Sequence, residues 1–256
     1  MAKKSILEER LQTVQNRIAE ACVKARRDPS EVTLVAVTKT AGPETIREIV
    51  QLGVQDLGES RVQQLVQRAS QLHEMFQRRK THGVPQTSLP PVRWHMIGHL
   101  QRNKVKQLLP HVHCIHSVDS LRLAEEIDEI GMKTRSKVPV MLQINASEEP
   151  QKHGVAVGAA IHLGEQIATM PGLQLVGLMT MAELTDDESV IRNAFRRTRE
   201  IFEEMKWHKI GGPDFKHLSM GMSHDFEIAI QEGSTMVRIG SALFGGAATE
   251  TEIPEE

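Results

Sequence analysis

Lys39 stands two residues past the uncharged run Val32-Thr33-Leu34-Val35-Ala36-Val37. The run is short, rich in β-branched residues and apolar on both faces, which is the pattern of a buried parallel strand. An ammonium at the mouth of such a strand is costly to desolvate. Desolvation favours the neutral amine, a nucleophile able to form a Schiff base with a carbonyl. A strand-end lysine that snorkels to water or pairs with a carboxylate leaves the same trace, so the choice between these readings falls to the rest of the chain.

Two segments near the C-terminal end supply complementary chemistry: Ser219-Met220-Gly221-Met222-Ser223 and Arg238-Ile239-Gly240-Ser241-Ala242. Glycine lets the backbone approach a ligand closely, and serine hydroxyls and backbone N–H groups donate to an anion. Gly221 and Gly240 taken singly are turn glycines; together, at the ends of the last two predicted strands, they read as a phosphate cradle. Arg238 could neutralise that phosphate, face a ring nitrogen or pair with a barrel carboxylate. A Schiff-base lysine opposite a phosphate cradle suits pyridoxal 5'-phosphate (PLP), and equally a cofactor-free aldolase acting on a sugar phosphate.

The elements that must position these residues can be read in order. Ser5 caps an N-terminal helix over residues 5–28, with Ile6, Leu7, Leu11, Val14, Ile18, Ala21 and Cys22 at helical spacing. Strands are predicted at 32–37, 54–57, 92–97, 112–118, 138–144, 173–179, 217–220 and 235–239, separated by helices at 42–52, 61–79, 103–109, 121–132, 155–170, 186–206 and 225–231. Eight apolar strands with helical crossovers predict an α/β fold, a single (β/α)8 barrel of the TIM type with an extra N-terminal helix. An open doubly wound sheet would show a Gly-rich turn after the first strand, and Thr38-Lys39-Thr40-Ala41-Gly42-Pro43 is not one. Residues 78–91 read as an irregular loop and 247–256 as a polar tail, with 1–256 forming one domain. On the active face the pattern places Lys39, Glu59, Ser60, His95, Gly98, Ser117, Asp119, Asn145, Met179 and Thr180 beside the two Gly/Ser segments.

Composition excludes several classes. Lys and Arg total 31 against 33 for Asp and Glu, a net charge of -2, which does not favour nucleic acid. The Arg196-Arg197-Arg199 and Arg78-Arg79-Lys80 runs lack aromatic companions and read as solvated helix faces. No stretch approaches a membrane span, and Cys22 and Cys114 lack framework spacing, so a reduced cytoplasmic chain without disulfides is expected. His111, His113 and His116 resemble a metal cluster, but strand alternation sends His113 and His116 to opposite faces; no metal is expected. Met179, Met181, Met220 and Met222 read as pocket wall.

Val35-Ala36-Val37-Thr38-Lys39, Gly58-Glu59-Ser60-Arg61-Val62-Gln63, Trp94-His95-Met96-Ile97-Gly98-His99-Leu100-Gln101-Arg102-Asn103-Lys104, Leu218-Ser219-Met220-Gly221-Met222-Ser223 and Val237-Arg238-Ile239-Gly240-Ser241-Ala242-Leu243-Phe244-Gly245 together resemble the pyridoxal phosphate homeostasis proteins, stand-alone barrels of the alanine racemase type (fold-type III). The resemblance runs from about Val32 to Gly245. It implies an internal aldimine on Lys39, a phosphate surrounded by Ser219, Gly221, Met222, Ser223, Gly240 and Ser241, and Arg238 facing the pyridine nitrogen. Ser60 departs from the asparagine usual after Gly-Glu in that family, and any cofactor contact of that amide is in question. His95 and His99 could act as acid or base near the ring, or be satisfied by backbone or carboxylate. The implied role is carriage, supply or buffering of PLP for PLP-requiring apoenzymes, by a monomer or weak homodimer without catalytic residues. The alternative is an amino-acid racemase or lyase. A racemase of this fold resembles one that brings a tyrosine from a second domain opposite the lysine, and this chain has neither a tyrosine nor the length for that domain.

Overall fold

The computed structural model describes residues 4–81, 91–149 and 151–245. Nine parallel strands follow in chain order: β1 (Thr33–Val37), β2 (Asp56–Glu59), β3 (Arg93–Met96), β4 (Cys114–Val118), β5 (Val138–Asn145), β6 (Val155–Ala156), β7 (Leu173–Thr180), β8 (His217–Ser219) and β9 (Met236–Ile239). Their order is β4-β3-β2-β1-β9-β8-β7-β5, closed by the β4–β5 pairing, with the two-residue β6 hanging on β5. This is a closed eight-stranded parallel barrel wrapped by helices, as expected from the sequence.

Several boundaries move, each for a physical reason. β2 starts at Asp56 rather than Val54, because Gly53 turns with φ +95° and the ladder to β3 opens at Asp56 opposite Arg93. The predicted helix at 155–170 begins instead as β6, whose Val155 and Ala156 pair with Ile144 and Asn145. Its α-helix is only Ala160–Ala168. Between β2 and β3 the helix Val62–Thr81 takes in the first residues assigned to the irregular loop; 82–90 of that loop, and the 247–256 tail, lie outside the described residues. A four-residue helix, Ser241–Phe244, follows β9 and was not predicted.

Alternation along the strands sorts side chains into two compartments. Outward residues such as Ala36, Leu57, Trp94, Met96, Val140, Leu142, Leu218, Val237 and Ile239 join the large core beneath the helices. Inside the barrel lies a smaller apolar group, Cys114, Met141, Val176, Met179 and Met236, around a polar column described below. Met220, read as pocket wall, belongs to the outer core.

The N-terminal helix, α1 (Ile6–Lys24), is capped by Ser5, whose hydroxyl accepts from Glu8 N at 3.0 Å. It buries Leu7, Leu11, Val14, Ile18, Ala21 and Cys22 and exposes Ile6. Arg17 binds Glu227 at 2.6 Å and lies over the Phe226 ring, tying α1 to the short helix Phe226–Gln231. Arg27 donates to the Ile230 and Ser234 carbonyls at 3.0 and 2.7 Å just before β9. Both cysteines are buried and free. No helix among the described residues is long and apolar enough to cross a membrane. Arg192, Arg196 and Arg199 converge on Glu232 at 2.9, 3.8 and 3.4 Å, so this basic run is an ion-paired helix face.

Candidate functional site

Lys39 sits at the C-terminal mouth of the barrel, exposed, with no hydrogen bond or ion pair to its ammonium among the described residues. The desolvation imagined from the apolar strand is therefore absent, because the chain leaves β1 into an open turn. What holds the turn is its backbone. Thr38 N donates to Gly58 O at 3.0 Å and Ala41 N to Thr38 O at 2.8 Å. Arg68, from the helix after β2, donates to the carbonyls of Thr38 and Ala41 at 2.7 and 3.0 Å and reaches Lys39 O at 3.5 Å.

The same guanidinium bonds the Glu59 carboxylate, which also accepts from Thr38 Oγ1. Glu59 is fully buried, and its second oxygen has no partner. Sequence reading put Glu59 on the active face; the strand instead turns its carboxylate outward, between barrel wall and helix. Arg68 went unremarked, since an arginine on an amphipathic helix carries no local sign of aiming inward. Ser60 follows immediately and is half-buried, and a Cβ on Gly98 would lie 2.3 Å from Ser60 O, so only glycine fits that approach.

Beside β1, which pairs with β9, the loops after β8 and β9 form one cradle. Gly221 has φ +93°, and a Cβ there would meet Ala229 Cβ at 2.7 Å. Ser223 Oγ accepts from Gly240 N and Ala242 N, each at 3.3 Å, so two backbone N–H groups already point at one oxygen position. Ser241 is exposed beside it, and Met222 N donates to Asp225 at 2.5 Å. Buried Asp225 has its carboxyl raised by desolvation, opposed by the Met222 N–H bond.

Arg238 is 4% exposed and has no carboxylate ion pair among the described residues; it donates to Ser219 O, Ser219 Oγ and Thr180 O at 2.8, 2.7 and 2.9 Å. Burial pulls it down to about 10, so it stays a cation at neutral pH. Three of its five N–H groups are spent, leaving two for a ligand. Ser219, read as a phosphate contact, is fully buried with its hydroxyl committed to Arg238 and His116.

From Ser219 a column of polar groups descends through the barrel. His116 Nδ1 lies 3.0 Å from Ser219 Oγ, His116 Nε2 lies 2.9 Å from His95 Nδ1, and His95 Nε2 lies 2.9 Å from Asp56 Oδ1. Arg93 closes the bottom, bonding both Asp56 oxygens at 2.7 and 2.6 Å. Only one proton arrangement gives every donor an acceptor: Arg238 donates to Ser219, Ser219 to His116, His116 to His95, and His95 to ionised Asp56. His116 is then neutral. Burial above all, with the Arg238 charge adding to it, holds His116 well below the ordinary imidazole range. Although desolvation alone would raise it, the Arg93 and His95 bonds hold Asp56 well below the usual carboxylate range. His95 thus serves the barrel interior, and His111 and His113 stand outside the column.

A free lysine amine on a clamped turn, two converging N–H groups in a glycine-dependent cradle and a buried arginine with no carboxylate ion pair among the described residues fit a phosphorylated carbonyl compound. The structure is a closed (β/α)8 barrel with an exposed lysine amine at its mouth. The alanine racemase N-terminal domain family matches residues 10–248. A pyridoxal phosphate homeostasis protein of Aquifex aeolicus is 37% identical over 238 residues, 93% of this chain and 96% of that one. A crystal structure of an unknown protein from Bifidobacterium adolescentis superposes with TM-score 0.85 at 36% identity, covering 93% of this chain and 94% of the other. PipY of Synechococcus elongatus with PLP bound gives TM-score 0.74 at 31% identity, over 89% of this chain and all of that one. The chain belongs to the pyridoxal phosphate homeostasis protein family.

Two outcomes follow from the buried groups. Arg68→Met leaves Glu59 buried and unpaired and is expected to cost about 3–5 kcal/mol in urea unfolding, whereas adding Glu59→Gln recovers a measurable part. Unchanged stability of Arg68→Met would contradict the clamp. In the unfolded chain His116 titrates near about 6.5. Its folded pKa is lower, so its contribution is full above that pH and lost as pH falls, because the unfolded state binds the extra proton. Unfolding free energy is expected to fall below about pH 6.5, with roughly 1 kcal/mol per pH unit arising from this residue. His116→Asn should flatten that slope; an unaltered slope would refute the neutral column.

Proposed function

We propose that this chain binds pyridoxal 5'-phosphate in the cytoplasm, held covalently through Lys39 Nζ, and supplies or buffers it for PLP-requiring apoenzymes, as a monomer or weak homodimer. The observation that carries the reading is the free Lys39 amine, on its clamped turn after β1, beside the Ser223–Gly240–Ala242 cradle at the end of the neighbouring β9. The PLP-bound PipY relative, similar over 89% of this chain, supports the choice of ligand over a sugar phosphate.

In this arrangement the N–H groups of Gly240 and Ala242 and the hydroxyls of Ser223 and Ser241 hold the phosphate, and Gly221 keeps the loop close. Ser219 acts one layer below, by orienting Arg238. PLP's chemistry when bound is to draw electrons from a substrate carbon into its pyridine ring. Arg238, already a cation, would leave the ring nitrogen unprotonated and weaken that pull. The chain contains no tyrosine to serve as a second base. Both features favour carriage over racemase or lyase chemistry.

The purified protein is expected to show the visible absorption band of a lysine Schiff base after PLP is added, and Lys39→Ala to lack it. L-alanine in deuterated water should then show no α-proton exchange above the Lys39→Ala background, while an added apoenzyme is reactivated by the loaded protein. Rapid exchange would instead establish an enzyme. Absence of the band with excess PLP would remove the cofactor reading.

A further inference from the structure

A second group of side chains at the same mouth is not used by the cofactor reading. His99, in the connection after β3, Asp119, directly after β4, and His153, in the connection after β5, bring their ligand atoms within 4.8 Å of one another. His99 Nδ1 lies 3.3 Å and His153 Nδ1 3.8 Å from the same oxygen, Asp119 Oδ2. The two imidazoles stack with centroids 4.0 Å apart and an interplanar angle of 13°. In the closed strand order β3 and β4 stand opposite β8 and β9, so the group faces the cradle across the barrel.

The Asp119 side chain is only 13% exposed, and neither lysine nor arginine pairs with it among the described residues. The neighbouring cation, Lys152, is taken by Glu149 and the Ala182 carbonyl. A largely buried carboxylate faced only by two imidazole nitrogens is the donor set of a borderline divalent metal ion. Two ligands each about 2.1 Å from an ion lie about 3.0–3.4 Å apart at tetrahedral or octahedral angles; His99 meets this at 3.3 Å, whereas His153 at 3.8 Å must turn out of the stack to do so. His99 and His153 are 45% and 57% exposed, so their rings are free to close the remaining gap.

The barrel interior offers a contrast. His95, Cys114 and His116 also cluster, but every imidazole nitrogen there already has a protein partner and burial pushes the Cys114 thiol up, away from thiolate. That group is a hydrogen-bonded column whose imidazole nitrogens are already taken.

We propose that His99, Asp119 and His153 form a binding site for a first-row divalent transition-metal ion such as Zn2+, with coordination positions left open toward the mouth of the barrel. Three protein ligands leave room for water or a carboxylate- or phosphate-bearing ligand, as in exchangeable rather than closed structural sites. This departs from the expectation of no metal, which considered only His111, His113 and His116. The proposal does not depend on PLP binding.

The test is calorimetric titration of the full chain, with and without PLP, using Zn2+, alongside the visible spectrum with Co2+. One ion per chain is expected. Asp119→Asn, His99→Ala and His153→Ala should each weaken binding by more than the about 10- to 100-fold that altering an outer partner of a metal site costs. His162→Ala, a 77% exposed histidine outside the group, serves as the control for adventitious binding and should leave affinity unchanged. Circular dichroism confirms that each variant is folded. No saturable Zn2+ binding by the wild type, or affinity unchanged in the three variants, would overturn the proposal.

Discussion

The mouth of this barrel depends on one guanidinium placed where water does not reach its partner. Arg68 offers its N–H groups to Glu59 and to the carbonyls of Thr38 and Ala41, so a single side chain ties the helix after β2 to the end of β2 and to the turn that carries Lys39. A buried ion pair of this kind is weak support for stability as such, because desolvation offsets most of the attraction. Its value here is geometric: removing either member leaves a charge with no compensation, so the turn has one low-energy arrangement. Lys39 itself is then free, exposed and without a competing partner among the described residues.

The barrel interior follows the same logic with a longer chain of groups. Six polar side chains run from Arg93 at the bottom to Arg238 near the top, and each is satisfied by the next. A buried polar network that is complete specifies a unique packing, whereas a partial one is costly. Here completeness also fixes direction: the ionised Asp56 at one end makes every proton point down, and Arg238 at the other end is held by what remains of Ser219. Arg238 is thus anchored through groups that lie deeper in the barrel.

Much of this was legible in the sequence because the strands are apolar on the outer face. Val35-Ala36-Val37 and Leu175-Val176 read as strands since helices cover one side and the barrel fills the other. The Gly/Ser loops at 219–223 and 240–242 were legible because glycine at those places has a backbone reason, shown by the Gly221 φ of +93°. What could not be read were long-range pairings. The strand at 54–57 was legible, but not that the carboxylates at Asp56 and Glu59 are met by Arg93, His95 and Arg68. Ser219 looked like a cradle residue because strand ends were blurred by a residue or two, and at that scale a side chain moves from the mouth into the column. The approach of His99, Asp119 and His153, spread over 55 positions from 99 to 153, has no sequence period at all.

The central claim is that the amine on the clamped turn is the attachment point for PLP, and chemical trapping tests it most directly. The protein loaded with PLP is reduced with borohydride, digested, and its peptides are weighed. The account expects the phosphopyridoxyl increment on the peptide containing Lys39, and a much smaller yield there from Arg68→Met at equal PLP concentration. Labelling confined to other lysines, or none on the Lys39 peptide, would contradict it.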